Sequence, residues 1–291
     1  MILPPPLQAT LETRLAPVVE ATPVGGGDIS SAAQVRLADA RELLVKWRTG
    51  SLAGLFTAER RGLELLRSAK ALRIPQVLAQ SEAVEVCPAF IALEWLGRGG
   101  SNPQIAEALG QGLAAMHRVT GPHYGLDHDN FIGANPQPNQ PADNWITFFR
   151  EQRLGFQMEL AAKNGRLPTD RASRLEKLLA KLEQWLPADP PAALLHGDLW
   201  GGNWLVTATG QPALIDPAVY YGHREAELAF TELFGGFSDA FYDAYNATWP
   251  LEKEYAERKD LYNLYHLLNH LNLFGGGYGS SVDRVLRRYV G

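Results

Sequence analysis

His196-Gly197-Asp198-Leu199-Trp200-Gly201-Gly202-Asn203 is followed, thirteen residues after Asn203, by Asp216. Asp198 and Asn203 lie five residues apart, and Asp216 closes the apolar run Pro212-Ala213-Leu214-Ile215 ahead of Pro217. That run and Trp204-Leu205-Val206 read as two short strands, with Thr209-Gly210 as the turn between them. Such a hairpin presents Asn203 at one end and Asp216 at the other. Carboxylate and amide oxygens are hard ligands that suit Mg²⁺. A further carboxylate, Asp198, is placed to orient a hydroxyl and accept its proton. These residue types at these spacings point to phosphoryl transfer. His196 reads as an anchor of the loop rather than as a base.

Protein kinases use the same offsets: a catalytic Asp five residues before a metal-binding Asn, then a second metal-binding Asp. The first hundred residues contain counterparts for the rest of that plan. Gln34-Val35-Arg36-Leu37 and Leu43-Leu44-Val45-Lys46-Trp47 read as strands around an Asp39-Ala40 turn. Leu43, Val45 and Trp47 share one face, so Lys46 points to the other. Leu52 to Lys70 reads as a helix with Leu52, Phe56, Leu63 and Leu66 on one stripe, and Glu59 falls on that stripe. A charge among core-facing residues needs a partner, and Lys46 supplies one. Kinases hold their phosphate-binding lysine with such a pair.

Gly25-Gly26-Gly27-Asp28 is read as a phosphate-covering loop just before the first strand, since glycines let backbone N–H groups approach phosphate oxygens. It is not a Walker A motif, because no Gly-Lys-Ser/Thr follows. Val84 to Val86 and Phe90 to Trp95 read as a further strand pair, and Glu94 at its end is expected to offer backbone groups to the nucleotide base. Gly97 to Asn102 reads as a linker. Asn102 is the expected N-cap, with Pro103 at the first position, of a helix running through Ile105, Leu109, Leu113 and Met116. Arg171 to Leu186 and Tyr255 to Phe274 are further predicted helices. The expected fold is thus α+β and bilobal, protein-kinase-like. Residues 1–96 form a small β-rich lobe with one main helix, 97–102 the hinge, and 103–291 a larger, mostly helical lobe.

The chain has 291 residues, a formal net charge of −5 and no basic stripe, which disfavours nucleic acid or an anionic membrane as partner. One cysteine excludes an intramolecular disulfide and a cysteine-based zinc cluster; Cys87 reads as a small core residue. No apolar run approaches eighteen residues and no signal-like N-terminus is present, so a soluble, cytoplasmic protein is expected. A monomer is taken as the expected oligomeric state.

These segments, and others across nearly the whole chain, resemble the fructosamine kinase (ketosamine kinase) family. The resemblance is carried by Phe56-Thr57-Ala58-Glu59-Arg60-Arg61-Gly62-Leu63, Asn130-Phe131-Ile132-Gly133, Gln137-Pro138-Asn139, Trp145 and Phe148 to Leu154. Trp200 within the Asp198 loop, Tyr220-Tyr221-Gly222 and Leu271 to Tyr278 complete it. The Asp198 block alone would indicate only an aminoglycoside-phosphotransferase-like kinase. The resemblance implies ATP- and Mg²⁺-dependent phosphorylation of a ketosamine hydroxyl, typically at sugar C3. The acceptor would be a ribulosamine, erythrulosamine or fructosamine, on a small molecule or a glycated protein lysine. A free metabolite or an aminoglycoside is the alternative acceptor.

The implied assignment gives Asp198 catalysis, Asn203 and Asp216 the metal, and Gly25, Gly26, Gly27, Lys46, Glu59 and Glu94 the nucleotide. Trp200, His270 and Tyr278 are candidates for the acceptor side. His223 and Arg224 follow the metal loop and are candidates to brace it through Glu225 or Glu227. Many family members carry Cys after the three glycines. This chain has Asp28 there, so no redox control of the loop is expected, and the carboxylate is expected to point away from phosphate.

Overall fold

The computed structural model describes residues 2–25, 29–50 and 52–291. The chain forms two compact units, Met1–Ser101 with Leu205–Asp216, and Asn102–Trp204 with Pro217–Gly291. The hairpin segment 205–216 therefore groups with the N-terminal residues, whereas a single cut at 97–102 puts it with the C-terminal ones.

In the first unit, α1 (Pro5–Arg14) precedes a five-stranded antiparallel sheet of order β1-β2-β3-β5-β4. Its strands are β1 (Val18–Pro23), β2 (Ser31–Leu37), β3 (Glu42–Arg48), β4 (Val77–Ser81) and β5 (Ala89–Glu94), with α2 (Leu55–Ser68) between β3 and β4. Alternation in β3 buries Leu43, Val45 and Trp47 on one face, where α1 adds Leu7 and Leu11. Lys46 consequently emerges on the opposite face. The helix α2 packs on β4 and β5 and buries Phe56, Leu63 and Leu66. Full burial of each contributes about 1.5–3 kcal/mol, enough to hold Glu59 on the same side if its charge is matched.

In the second unit, α3 (Pro103–His117) starts as the sequence predicts: Asn102 is the N-cap, and its side chain accepts from Ile105 N at 3.0 Å. A small hairpin of β6 (Asn130–Ile132) and β7 (Asn135–Gln137) follows. Next come α4 (Trp145–Phe148), a π-helical stretch Phe149–Gly155, α5 (Phe156–Lys163) and α6 (Thr169–Leu179). Strand β8 (Ala193–Leu195) pairs antiparallel with β11 (Tyr220–Gly222), Leu195 opposite Tyr220. This ladder closes the excursion 196–219, which carries β9 (Trp204–Val206) and β10 (Pro212–Leu214). The last helices are α7 (Arg224–Leu233), α8 (Asp239–Thr248), α9 (Tyr255–Phe274) and α10 (Tyr278–Val290). The core gathers on α9, against α5, α7 and α10. Among the described residues, no helix is long and apolar enough to cross a membrane.

Several expectations are corrected. Val84–Val86 is not a strand: Val84 and Cys87 bridge across a tight turn with Glu85 at φ 51°, and Val84 and Val86 are exposed. The strand beside β5 is β4 instead. Two valines around a polar residue imitate a strand, but one left-handed residue folds them into a turn. Gly25 follows β1 and precedes β2 rather than preceding the first strand, since α1 and β1 come ahead of it. The helix α2 begins at Leu55, three residues late, after Gly54 at φ 83°. The predicted helix 171–186 stops at Leu179 and continues as a 3-10 turn, Leu182–Gln184. Cys87 lies half-buried at the rim of the core, 3.5 Å from Thr10 Oγ1.

Candidate active site

Lys46 is held between two carboxylates of its own unit. Its Nζ donates to Glu59 Oε1 at 2.7 Å and to Asp216 Oδ1 through a short contact. Burial opposes the lysine's charge, but Asp216 and Glu59 outweigh it and push the ammonium's pKa above its ordinary value. The group therefore stays cationic at any physiological pH. Asp216 adopts φ 56°, a left-handed conformation that Asp tolerates better than bulkier residues. The strand before it is fixed by Leu214 N donating to Arg73 O at 3.0 Å. Glu94 does not join this cluster. Its carboxylate is bound to Arg73 and accepts from Gln76 N, so a nucleotide contact from Glu94 has to come from its main chain. Gly25 is exposed, with open space where a Cβ would sit. Gly26, Gly27 and Asp28 lie outside the described residues.

The second unit builds the Asp198 loop. Asn203 Nδ2 donates to Asp198 O at 2.8 Å and to Asp198 Oδ2 at 3.1 Å, closing the six-residue loop on itself. His196 is fully buried, and its Nδ1 accepts from Asp198 N at 3.3 Å. The imidazole is thus a loop anchor, as its place in the motif suggests. Gly197 has φ 84°, and a Cβ there would run into Ala218 O. Ala218 N donates to His196 O at 2.9 Å, so the two strands of chain leaving β8 and entering β11 lie side by side. Trp200 is 43% exposed, with its indole lying over Gly202.

Glu227, in the first turn of α7, grips the start of this loop. It accepts from His196 N at 3.1 Å, Gly197 N at 2.6 Å and His117 Nε2 at 2.8 Å. His117 Nδ1 in turn meets Tyr245 Oη at 2.8 Å. Burial would raise the Glu227 pKa, but the His117 hydrogen bond, neighbouring His117 and His196 and the Gly197 N–H bring it below the ordinary value. Glu227 touches the loop directly rather than through His223 or Arg224: His223 Nδ1 meets Tyr262 Oη at 2.6 Å, and Arg224 donates to Trp249 O at 3.0 Å and Pro250 O at 2.6 Å. Glu225 instead pairs with Arg258 at 2.5 Å. His223, Glu225 and Glu252 converge closely enough to suggest a metal site, but Arg258 bridges both carboxylates and already supplies the positive charge.

The exit of the loop is fixed by residues that were legible only as family markers. Asn130 Nδ2 donates to Val219 O at 2.8 Å, and Gln137 Nε2 donates to Ala218 O at 2.9 Å and Asn130 Oδ1 at 2.8 Å. Asn139 Nδ2 also donates to Asn130 Oδ1, at 2.9 Å, and Tyr265 Oη donates to Gln137 Oε1 at 2.6 Å. Buried Arg153 donates to Asn139 Oδ1 at 2.8 Å and stacks 4.0 Å from the Tyr220 ring centroid. No periodicity or spacing announces this network, because its members come from β6, β7 and the loop after it, the π-helical stretch and α9.

His270 and Tyr278 are brought together, with ring centroids 5.1 Å apart, beside Phe274 and Phe234. His270 Nδ1 donates to His266 O at 2.8 Å, and burial holds the imidazole's pKa below its ordinary value. The ring is therefore neutral, with the Nδ1–H tautomer set by that bond. His266 is buried and stacks on Phe230 at 3.5 Å.

A family model described as fructosamine kinase matches residues 7–291. A probable ketoamine kinase of Synechocystis is 43% identical over 237 residues, covering 80% of this chain and 78% of that protein. A protein-ribulosamine 3-kinase, chloroplastic, of Arabidopsis thaliana is 37% identical over 271 residues, covering 92% and 81%. A crystal structure from Thermobifida fusca assigned to a fructosamine-3-kinase superposes with a TM-score of 0.88 at 33% identity, covering 97% of each chain. A thermostable mutant of an aminoglycoside phosphotransferase, in ternary complex with AMP-PNP and hygromycin B, gives a TM-score of 0.68 at 18% identity over 98% and 99%. That last likeness shows the shared kinase-like fold alone.

Proposed function

The chain belongs to the fructosamine kinase family, and on that premise we propose that it transfers the γ-phosphoryl group of ATP to a sugar hydroxyl of a ketosamine. The observation that carries the reading is the loop closed by Asn203 on Asp198, which fixes a carboxylate beside an amide at the five-residue offset phosphoryl transfer uses.

Asp198 acts as the base. It orients the acceptor hydroxyl and takes its proton as the oxygen attacks the γ-phosphorus and the bond to the β,γ-bridging oxygen breaks, with ADP as leaving group; the proton transfer contributes about 10²–10⁴-fold. Lys46, held by Glu59, binds the α- and β-phosphates, and Gly25 to Gly27 cover them. Lys46 Nζ has three donors and uses two on Glu59 and Asp216, so the third can reach a phosphate oxygen. Glu94 offers its main chain to the base. A divalent ion is implied by the kinase family, and we assign it as Mg²⁺ with Asn203 Oδ1 and the Asp216 carboxylate as ligands. Two oxygen donors of this type fit a hard cation, which would neutralise charge on the phosphate oxygens. Trp200, His270 and Tyr278 read the acceptor: the exposed indole stacks on the sugar, and neutral His270 accepts from a hydroxyl.

The acceptor class is ribulosamine, erythrulosamine or fructosamine, free or on protein lysines, with the enzyme acting as a monomer. ATP consumption with ribulose-lysine, erythrulose-lysine, fructose-lysine, an aminoglycoside and plain lysine tests this. Turnover on at least one ketosamine, and its loss in Asp198→Ala with nucleotide binding kept within about threefold, is the expected result. Turnover confined to the aminoglycoside, or near-normal turnover in Asp198→Ala, would overturn it.

A further inference from the structure

After α7 the chain runs through Phe234-Gly235-Gly236-Phe237 into α8. Gly235 and Gly236 both have positive φ, 73° and 99°. Their surroundings differ. A Cβ on Gly235 meets nothing within 4 Å, whereas a Cβ on Gly236 would stand 2.7 Å from Gly201 Cα. From the other side, a Cβ on Gly201 would stand 3.1 Å from Gly236 Cα and 3.2 Å from Gly235 O. Two backbones therefore cross with no side chain between them, and one of them is the Asp198–Asn203 loop.

The crossing is flanked on both sides. The Phe237 ring lies 6.1 Å from Trp204, the residue after Asn203, and 4.8 Å from Phe241 of α8. The Phe234 ring lies 4.9 Å from His270 and 5.8 Å from Phe230. Segment 234–237 thus touches the Asp198 loop at the glycine crossing, the residue just after that loop through Phe237, and the His270 aromatic cluster through Phe234.

The geometry points to Gly236 as a positioning residue: its backbone crossing with Gly201 sets where the 198–203 loop holds Asp198, and ties that loop to the His270 face. Packed backbones without side chains cannot give way by a rotamer change, so a methyl at this point displaces main chain. A displacement of about 1 Å at a reacting group costs on the order of 10²-fold in rate.

The inference rests on the proposed role of Asp198, and neighbouring glycines give it an internal control. Gly235→Ala and Gly236→Ala both place alanine at positive φ, but only the second meets Gly201. The expected result is a kcat at least about tenfold lower in Gly236→Ala than in Gly235→Ala, with KM for ATP within about twofold in both. Gly201→Ala, whose methyl meets Gly236 Cα at 3.1 Å, should lose kcat in the same direction but by less, and Gly201→Ala/Gly236→Ala should lose less than the product of the two, because they disturb one contact. Hydrogen exchange at 198–203 provides a readout independent of any substrate: faster in Gly236→Ala, unchanged in Gly235→Ala. Equal kcat losses in the two alanine variants, or unaltered exchange in Gly236→Ala, would overturn the inference. If Gly236→Ala does not fold, Gly201→Ala decides it, with wild-type exchange and kcat as the adverse outcome. Absence of ketosamine turnover in the wild type would instead count against the proposed function, leaving the exchange comparison standing.

Discussion

The 196–219 excursion is held at its entry by a charge and at its exit by neutral amides. At the entry, one buried carboxylate, Glu227, collects three donors from His196, Gly197 and His117. At the exit, Asn130 and Gln137 donate to Val219 O and Ala218 O, and are themselves tied to Asn139, Arg153 and Tyr265. The entry concentrates its energy in one acceptor. The exit spreads it over a network in which each member has several partners. A concentrated clamp is strong but fails with a single substitution or a single proton. A distributed one loses a little at each position and is indifferent to pH. The same loop therefore has one anchor sensitive to the charge state of its centre and one that is not.

The largest effect is expected from Glu227→Ala. It strands three buried donors at once, and each unsatisfied donor costs about 1–3 kcal/mol. A loss of at least about 3 kcal/mol in denaturant unfolding is expected, with turnover reduced because the Asp198 loop loses its tether. Glu227→Gln keeps one acceptor oxygen and should recover part of the stability. A Glu227→Ala protein as stable as wild type would show that the entry is not a clamp at all.

Gln137→Leu is expected to cost less, about 1–3 kcal/mol, since it leaves Tyr265 Oη and Ala218 O without their Gln137 partner while Asn130 still has Asn139. If the exit network is truly distributed, kcat should fall less than in Glu227→Ala. A larger loss than that of Glu227→Ala would reverse the comparison and make Gln137 the hub.

The two anchors were unequally visible in the sequence. The Asp198 loop, the Lys46–Glu59 pair and α9 could be read directly, because each rests on a local signal: a fixed offset, a charge on an apolar stripe, or a long 3.6-residue period. Glu227 was half-visible, as one of two acidic residues in the first turn after the loop. Only folding separates it from Glu225, which turns to Arg258 instead. The exit network had no local signal. Asn130, Gln137, Asn139 and Arg153 are ordinary polar residues until β6, β7 and the π-helical stretch bring them inside. Elements that depend on tertiary contacts were missed for a related reason: β8 and β11 are three residues each and pair across the whole excursion. The valines of 84–86 show the opposite error, a strand-like composition overruled by one left-handed residue.

The smallest effect, and the most selective, is the pH dependence. The pKa of Glu227 is lower in the folded protein than its ordinary value, so the folded state favours its charged form. The stability it contributes is then fully present above the unfolded-state pKa of about 4.3. It is lost as pH falls through the lower folded-state value. The groups facing it are His117 from α3 and His196 from the loop, so protonating Glu227 removes a charged acceptor from both sides of the entry. One such proton changes stability by at most about 1.4 kcal/mol per pH unit. Unfolding measured from pH 7 to pH 3 should show this slope in wild type and in Gln137→Leu alike, because the exit network has no proton to gain. In Glu227→Gln the same stretch of the curve should be flatter by that amount. Equal slopes in wild type and Glu227→Gln would mean that another carboxylate governs the acid limb, and that the entry is charged without being the acid-sensitive point of the loop.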